Sequence, residues 1–251
     1  MATAFPKLLY DNRLDDATPV ASSTASGYAV ANLRDWRPYT WWKPTSLPAT
    51  ITIDCGSSKA ADYFAVYGHD LFSSGCTVEC RRSTDNFGAN DVLVSSNTPI
   101  NNKPFVTEFS SVSSRYWRLR LTGAAAPVMA IATIGAALVM PRRLSLGFDP
   151  TMRRVQGQTN RSEDGHPLGR VIHFEQWDQE LSFGQITWSW IRSTWVPAWQ
   201  QHLRSKPFVF AWDLMDNPSE VYLVQAGDGY DTPTVLGPYT DLRLRVTGVV
   251  P

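Results

Sequence analysis

At 251 residues, 43% hydrophobic and 18% charged, the chain is long enough for one large or two ordinary globular domains and too apolar to stay disordered. Its 23 basic and 23 acidic residues cancel, which removes the electrostatic footprint of a nucleic-acid or anionic-membrane binder. The ten tryptophans suit a core, an interface or platforms for sugar rings, and composition does not choose among these.

In chain order, "MATAFPKLLYDNRLDD" lacks the charged-then-apolar layout of a secretory signal. Residues 1–50 are rich in Pro, Ser, Thr and Asp and read as extended segments and loops. Within them, "WRPYTWWKP" (36–44) gathers four aromatics, two cations and two prolines. Trp36, Trp41 and Trp42 are therefore candidates for a sugar-stacking or protein-contact surface, against the alternative that Trp41 or Trp42 plugs the end of a sandwich.

From Ile51 the pattern turns to β. "ITIDCG", "DYFAVYGH", "CTVECRRS", "FVTEFS" and "RYWRLRLTG" read as short strands divided by Gly, Ser, Asn and Pro. Alternation puts Cys76, Val78 and Cys80 on one face and Thr77, Glu79 and Arg81 on the other. Likewise Tyr116, Arg118 and Arg120 oppose Trp117, Leu119 and Leu121. Cys76 and Cys80 fall about 13 Å apart along a strand, beyond the roughly 7 Å limit of a disulfide. Nor can that spacing close on one metal ion, so both read as small buried hydrophobes, and the odd cysteine (Cys55) fits reduced thiols. His69 and Asp70 end a strand, where a His-Asp doublet serves either catalysis or its own turn. The apolar run "AAAPVMAIATIGAALVM" (124–140), broken by Pro127 and Gly135, is short of a membrane span and reads as a buried β segment.

A second unit begins near "MPRRLSLGFDP" (140–150), with strands at "GRVIHFEQW" and "ELSFGQITWSW". Ile191, Trp195, Trp199 and His202 or Leu203 recur at helical spacing. Pro197 belongs in a first turn, so the helix is expected to start near Ser193 or Thr194. "KPFVFAWD" and "SEVYLVQAG" return to strand, and "LRLRVTGVV" closes the chain as an alternating edge strand. "AGDGYDTP" (226–233) is faintly like a calcium loop but lacks its twelve-residue spacing, and reads as a hairpin turn. His166 and His173 have no Glu or Cys to complete a ligand set. Glu175, Asp178 and Glu180 are carboxylates that space could pair, and Asn160-Arg161-Ser162 matches a glycosylation acceptor. With no nucleophile elbow, zinc-protease or P-loop motif, the expectation is no enzyme, no cofactor and no metal.

"ITIDCGSSKAADYFAVYGHDLFSSGCTVECRRSTDN", "SSRYWRLRLTG" and "IATIGAALVM" together resemble the discoidin-like, galactose-binding-like jelly roll over about residues 25–142. Asp70 and Cys55 depart from that pattern, where Asn and Leu or Val are common. The Gly-His form resembles tail proteins of phages and prophages, and the helix leading to "SKPFVFAWD" resembles the barrel of distal-tail and tail-tube proteins. The resemblance implies an all-β chain: a jelly-roll sandwich over 1–142, then a β-barrel-type domain over 143–251 with one short helix. It further implies a structural virion protein at the tail tip or baseplate, assembled in the bacterial cytoplasm, and a backbone-orienting role for His69. Its partners would be tail-tube, hub and tape-measure proteins, with six copies in a ring or three at a hub and the closing strand making the contact. The alternative is a carbohydrate-binding module that recognises host-surface glycans.

Overall fold

The computed structural model describes residues 5–249, so Met1–Ala4 of the N-terminal segment and Val250 of the closing stretch lie outside the described residues. The chain divides into two compact units, Met1–Met140 with Phe210–Val221, and Pro141–Val209 with Tyr222–Pro251. The first unit thus takes back a segment from late in the chain, which no composition shift near residue 142 signals.

In the first unit the strands are β1 (Lys7–Leu9), β2 (Val20–Ala21), β3 (Ala49–His69), β4 (Cys76–Ser83), β5 (Val92–Asn97), β6 (Phe105–Gly123), β7 (Met129–Gly135) and β8 (Leu138–Val139). β3 and β6 pair antiparallel from Ala49↔Leu121 to Val66↔Phe105, with register breaks after Asp54 and Ala61. At the first break Gly56 takes φ 71°, a backbone that an L side chain resists. "ITIDCG" and "DYFAVYGH", expected as two strands, therefore run on as one, as do "FVTEFS" and "RYWRLRLTG".

The first half of β3 and the second half of β6 lie in the order β2-β3-β6-β4-β5, while the second half of β3 pairs with β7. The alternating inner residues of both halves meet in one core: Ile51, Ile53, Trp117, Leu119, Val78 and Cys80 with Phe64, Val66, Ala132 and Ile134. This is a sandwich, and each large apolar side chain closed inside it contributes about 1.5–3 kcal/mol. The run at 124–140 supplies β7, in which all seven residues are buried. Cys55, Cys76 and Cys80 are free and buried, as their spacing requires.

The second unit holds β9 (Arg154–Arg161), β10 (Pro167–Thr187), β12 (Val221–Asp231), β13 (Thr234–Leu236) and β14 (Tyr239–Val249), and the chain leaves it through β11 (Phe208–Ala211). Here β12, β14, β10 and β9 follow one another, with β13 against β14. Among the described residues β9 pairs with β10 alone, so the sheet stays open and the expected barrel does not close.

Three local expectations change. The closing strand is interior: β14 pairs with β10 on one side (Leu181↔Leu244) and β12 on the other (Ala226↔Val246). Alternation had marked its buried face, Leu242, Leu244 and Val246, but alternation is silent about whether the strand edges are paired. The helical segment starts at Trp188, five residues before Ser193, capped by Thr187, whose Oγ1 accepts from Trp190 N at 3.3 Å. Pro197 falls in its middle. Ile191–Trp195 and Trp199–Leu203 are wound as wider π turns, and Val196 N donates to Ile191 O, which gives the proline ring room that a 3.6-residue turn denies. Finally, residues 226–231 continue β12 through a bulge between Ala226 and Tyr230, and the reversal comes only after Asp231.

Candidate functional site

Strand register gathers four loops at one end of the sandwich. His69 lies opposite Met129, Cys76 opposite Gly123, and Ala49 opposite Leu121, while β5 ends and β6 begins at the same end. The segments 36–48, 70–75, 98–104 and 124–128 therefore converge. They are tied together by side chains. Asn102 Oδ1 accepts from Phe72 N (3.1 Å) and Ser73 N (3.2 Å), and Asn102 Nδ2 donates to Ser73 Oγ (2.6 Å). Asp70 Oδ1 accepts from Val128 N at 2.7 Å.

His69 is buried, its Nδ1 accepts from Leu71 N at 3.3 Å, and its ring stands edge-on to Phe105 at 5.3 Å. Burial pushes its pKa down to about 4, which keeps the imidazole neutral across ordinary pH. The doublet braces the loops: each member holds backbone, and the His69 ring is closed off from solvent.

The three tryptophan candidates separate. Trp42 is fully buried; its Nε1 donates to Thr24 Oγ1 at 3.2 Å, and its backbone exchanges two hydrogen bonds with Met129 (2.8 and 3.0 Å). Trp36 is 5% exposed, with its backbone in the left-handed region at φ 61°. Neither can lay a ring face on a sugar from these positions. Trp41, 41% exposed, points the other way from Trp42, as successive residues of an extended segment must. Around it the loop is ordered by Asp35, whose carboxylate accepts from Arg37 N (2.9 Å) and Thr40 Oγ1 (2.8 Å).

Sequence reasoning missed Tyr39 (65% exposed), Phe72 (52%) and Ile100 (85%), which the same loops expose. Periodicity could not find them, because loop residues carry none. Beside them residues 97–101 and 103–106, with Pro218 and Ser219, line a cleft of about 280 Å³. Its walls are prolines, Ile100 and Phe105 with the amides of Asn97 and Asn101 and the ammonium of Lys103. Such a surface can stack on a ring and hydrogen-bond to hydroxyls.

Elsewhere the other candidates stay apart. His166, His173, Glu175 and Glu180 are exposed strand or turn residues, and Asn160 lies in β9. Asp178 pairs with cations: it accepts from Arg154 at 2.5 Å and from Arg245 at 3.0 and 2.9 Å, and the Arg245 bond holds its carboxyl below the usual range. Among the described residues no three His, Cys, Asp or Glu side chains group as a metal site, and no helix is long and apolar enough to cross a membrane.

No protein-family model matches the chain, and no curated protein matches it. Among solved structures it is similar to a CBM32 module of Clostridium perfringens in complex with GalNAc-β-1,3-galactose, at 17% identity and a TM-score of 0.43, covering 51% of this chain and 99% of that one. It is similar also to the family 32 carbohydrate-binding module of C. perfringens NanJ in complex with galactose (16% identity, TM-score 0.43, 51% and 98% covered). A third is chitosan-binding module 1 of a chitosanase/glucanase from Paenibacillus sp. IK-5 (17% identity, TM-score 0.43, 50% and 98% covered).

Proposed function

We propose that the loop end of the first unit binds carbohydrate and that the chain is a non-catalytic recognition protein. One observation carries this reading. Trp41 is held half-exposed by an ordered loop, its neighbour Trp42 is locked in the core, and Tyr39, Phe72 and the polar-rimmed cleft lie on the same end. Aromatic rings backed by rigid structure lose little entropy when a sugar stacks on them. Isothermal titration with galactose, GalNAc-β-1,3-galactose and a panel of surface glycans tests it. Trp41→Ala should abolish binding while the melting temperature holds. Binding retained in that variant, or no ligand at millimolar concentration, would remove the reading.

We further infer that this recognition unit is carried by a structural virion subunit at the tip of a phage tail. There it meets tail-tube, hub and tape-measure proteins in a sixfold ring, or a trimer at a hub, assembled in the bacterial cytoplasm. Beyond the sequence resemblance, the support is the β9–β10 hairpin, which leaves Leu168, Val171, Ile172 and Phe174 between 51% and 68% exposed. Apolar side chains on an uncovered hairpin with a free strand edge suit an assembly contact. In this reading the hairpin arm takes the role first expected of the closing strand, whose two edges are already paired. Electron microscopy of particles labelled against the chain tests it: a ring on the tail axis is expected, and copies only on side fibres would overturn it.

A further inference from the structure

The outer face of the sandwich carries an arrangement that stability alone does not explain. In the order β3-β6-β4-β5, one cross-strand row reads Thr52, Arg118, Arg81, Leu93, so two arginines stand directly opposite each other. Like charges in that position destabilise a sheet. Arg81 is compensated: its Nε meets Asp91 at 2.6 Å and its Nη1 meets Glu79 at 2.9 Å. Arg120, next on the same face, shares Glu79 at 3.6 Å. Arg118 is not. Its Nε donates to Thr52 Oγ1 at 3.0 Å, and among the described residues no carboxylate forms an ion pair with it, although Asp91 lies near enough to be felt. Burial, Arg81 and Arg120 all disfavour its charge, which a guanidinium keeps regardless.

A second feature converges on the same group. The Phe87 ring lies 3.6 Å below the Arg118 guanidinium carbon, and it is held there by a turn in which Asn86 (φ 57°) and Phe87 (φ 62°) both adopt left-handed backbone. For a phenylalanine that conformation is strained. Ser83 Oγ, accepting from Phe87 N (2.8 Å), and Asp85, accepting from Ala89 N (2.8 Å) and Asn90 N (3.1 Å), hold the turn in place. The ring fixes the plane of the guanidinium and shields one side, while its Nη donors stay available.

We propose that Arg118 is an anion-recognition point on this sheet face, and that it takes the carboxylate of a uronic acid residue in an acidic polysaccharide. A carboxylate is planar and matches the fork of a guanidinium with two parallel hydrogen bonds, and it supplies the one negative charge this cluster lacks. Thr52 on one side offers a hydroxyl to sugar hydroxyls, and Leu93, 48% exposed on the other, offers an apolar surface to sugar C–H groups. The site belongs to the sheet and the 83–91 turn, not to the loops that carry Trp41, so the two can fail independently.

The experiment is calorimetric titration of the full chain with an oligogalacturonate, its methyl-esterified form and a sulfated glycan. The acid form should bind, and esterification should weaken it at least about tenfold. Arg118→Gln should weaken it by about as much, Arg118→Lys should recover only part, and Phe87→Ala should cost severalfold. Equal affinity for the ester, preference for the sulfated chain, no binding at millimolar concentration, or full affinity in a folded Arg118→Gln protein would each overturn the proposal. Should Arg118→Gln fail to fold, the ester comparison and Phe87→Ala decide it alone.

Discussion

Trp42 and Phe174 are both large apolar side chains in β structure, yet the first is fully buried and the second is 56% exposed. In the sandwich of the first unit, alternation sends Cys76, Val78 and Cys80 of β4 and Trp117, Leu119 and Leu121 of β6 into one shared core. On the β9–β10 arm the apolar residues Val171 and Ile172 are adjacent, so they point to opposite faces and no single layer could cover both. A sequence that alternates is solving the burial of its own core. One that places neighbouring hydrophobes on two open faces leaves that burial to something else.

The largest effect should separate the adjacent tryptophans. Trp42→Ala opens the core and should destabilise the first unit by about 3–5 kcal/mol in chemical denaturation. Trp41→Ala should cost less than about 0.5 kcal/mol. Comparable losses at both positions would show that Trp41 is also structural and would dissolve the proposed glycan surface.

Next comes pH. His69 is held neutral, with a pKa near 4 against about 6.5 in an unfolded chain. Between those values the unfolded state binds the extra proton, so stability falls as pH drops from 6.5 toward 4, by up to roughly 2–3 kcal/mol. His69→Gln should flatten that slope. If the slope is unchanged, His69 is not the group that titrates and the loop end is less closely packed than the first unit's core.

In the second unit the comparable buried charge is Asp178, 5% exposed between Arg154 and Arg245. Its pKa is lowered as that of His69 is, so it too loses stability on acidification, but in a lower pH window and because an ion pair, not burial, sets the shift. The stabilisation is present above the ordinary carboxylate range and is lost as pH falls below about 4. Both arginines are largely solvated, so Asp178→Asn should cost only about 1 kcal/mol near neutral pH, and the variant should lose less stability than the wild type on acidification.

These contrasts also mark what the sequence disclosed. The sandwich was legible because one buried face writes a period of two into "CTVECRR" and "RYWRLRL", and because Cys76 and Cys80 could be excluded as a disulfide by distance alone. The helix start was not, since Pro197 is tolerated only through π turns that no spacing rule encodes. The paired edges of β14 were hidden for a related reason: side chains report faces, whereas pairing is a backbone property. At the loop end, "WRPYTWWKP" marked an aromatic-rich loop but not which of its rings faces out, and Tyr39, Phe72 and Ile100 carry no pattern at all.

The smallest expected effect on folding belongs to the arm. Replacing Val171, Ile172 and Phe174 with serine or threonine removes side chains that are already 51–57% exposed, so little burial is forfeited and stability should shift by no more than about 0.5 kcal/mol per site. Association should respond in the other direction. If the arm is the surface a neighbouring copy covers, the triple variant should fail to enter tails or to self-associate at high concentration, as read by sedimentation and by particle imaging. A hairpin with no packed face is marginal by itself, so the arm should also exchange amide hydrogens quickly in the isolated chain and become protected on assembly. Slow exchange in the dilute monomer, or a stability loss above about 1 kcal/mol in the variant, would mean that the arm is already packed. The contrast with the sandwich would then be one of degree only.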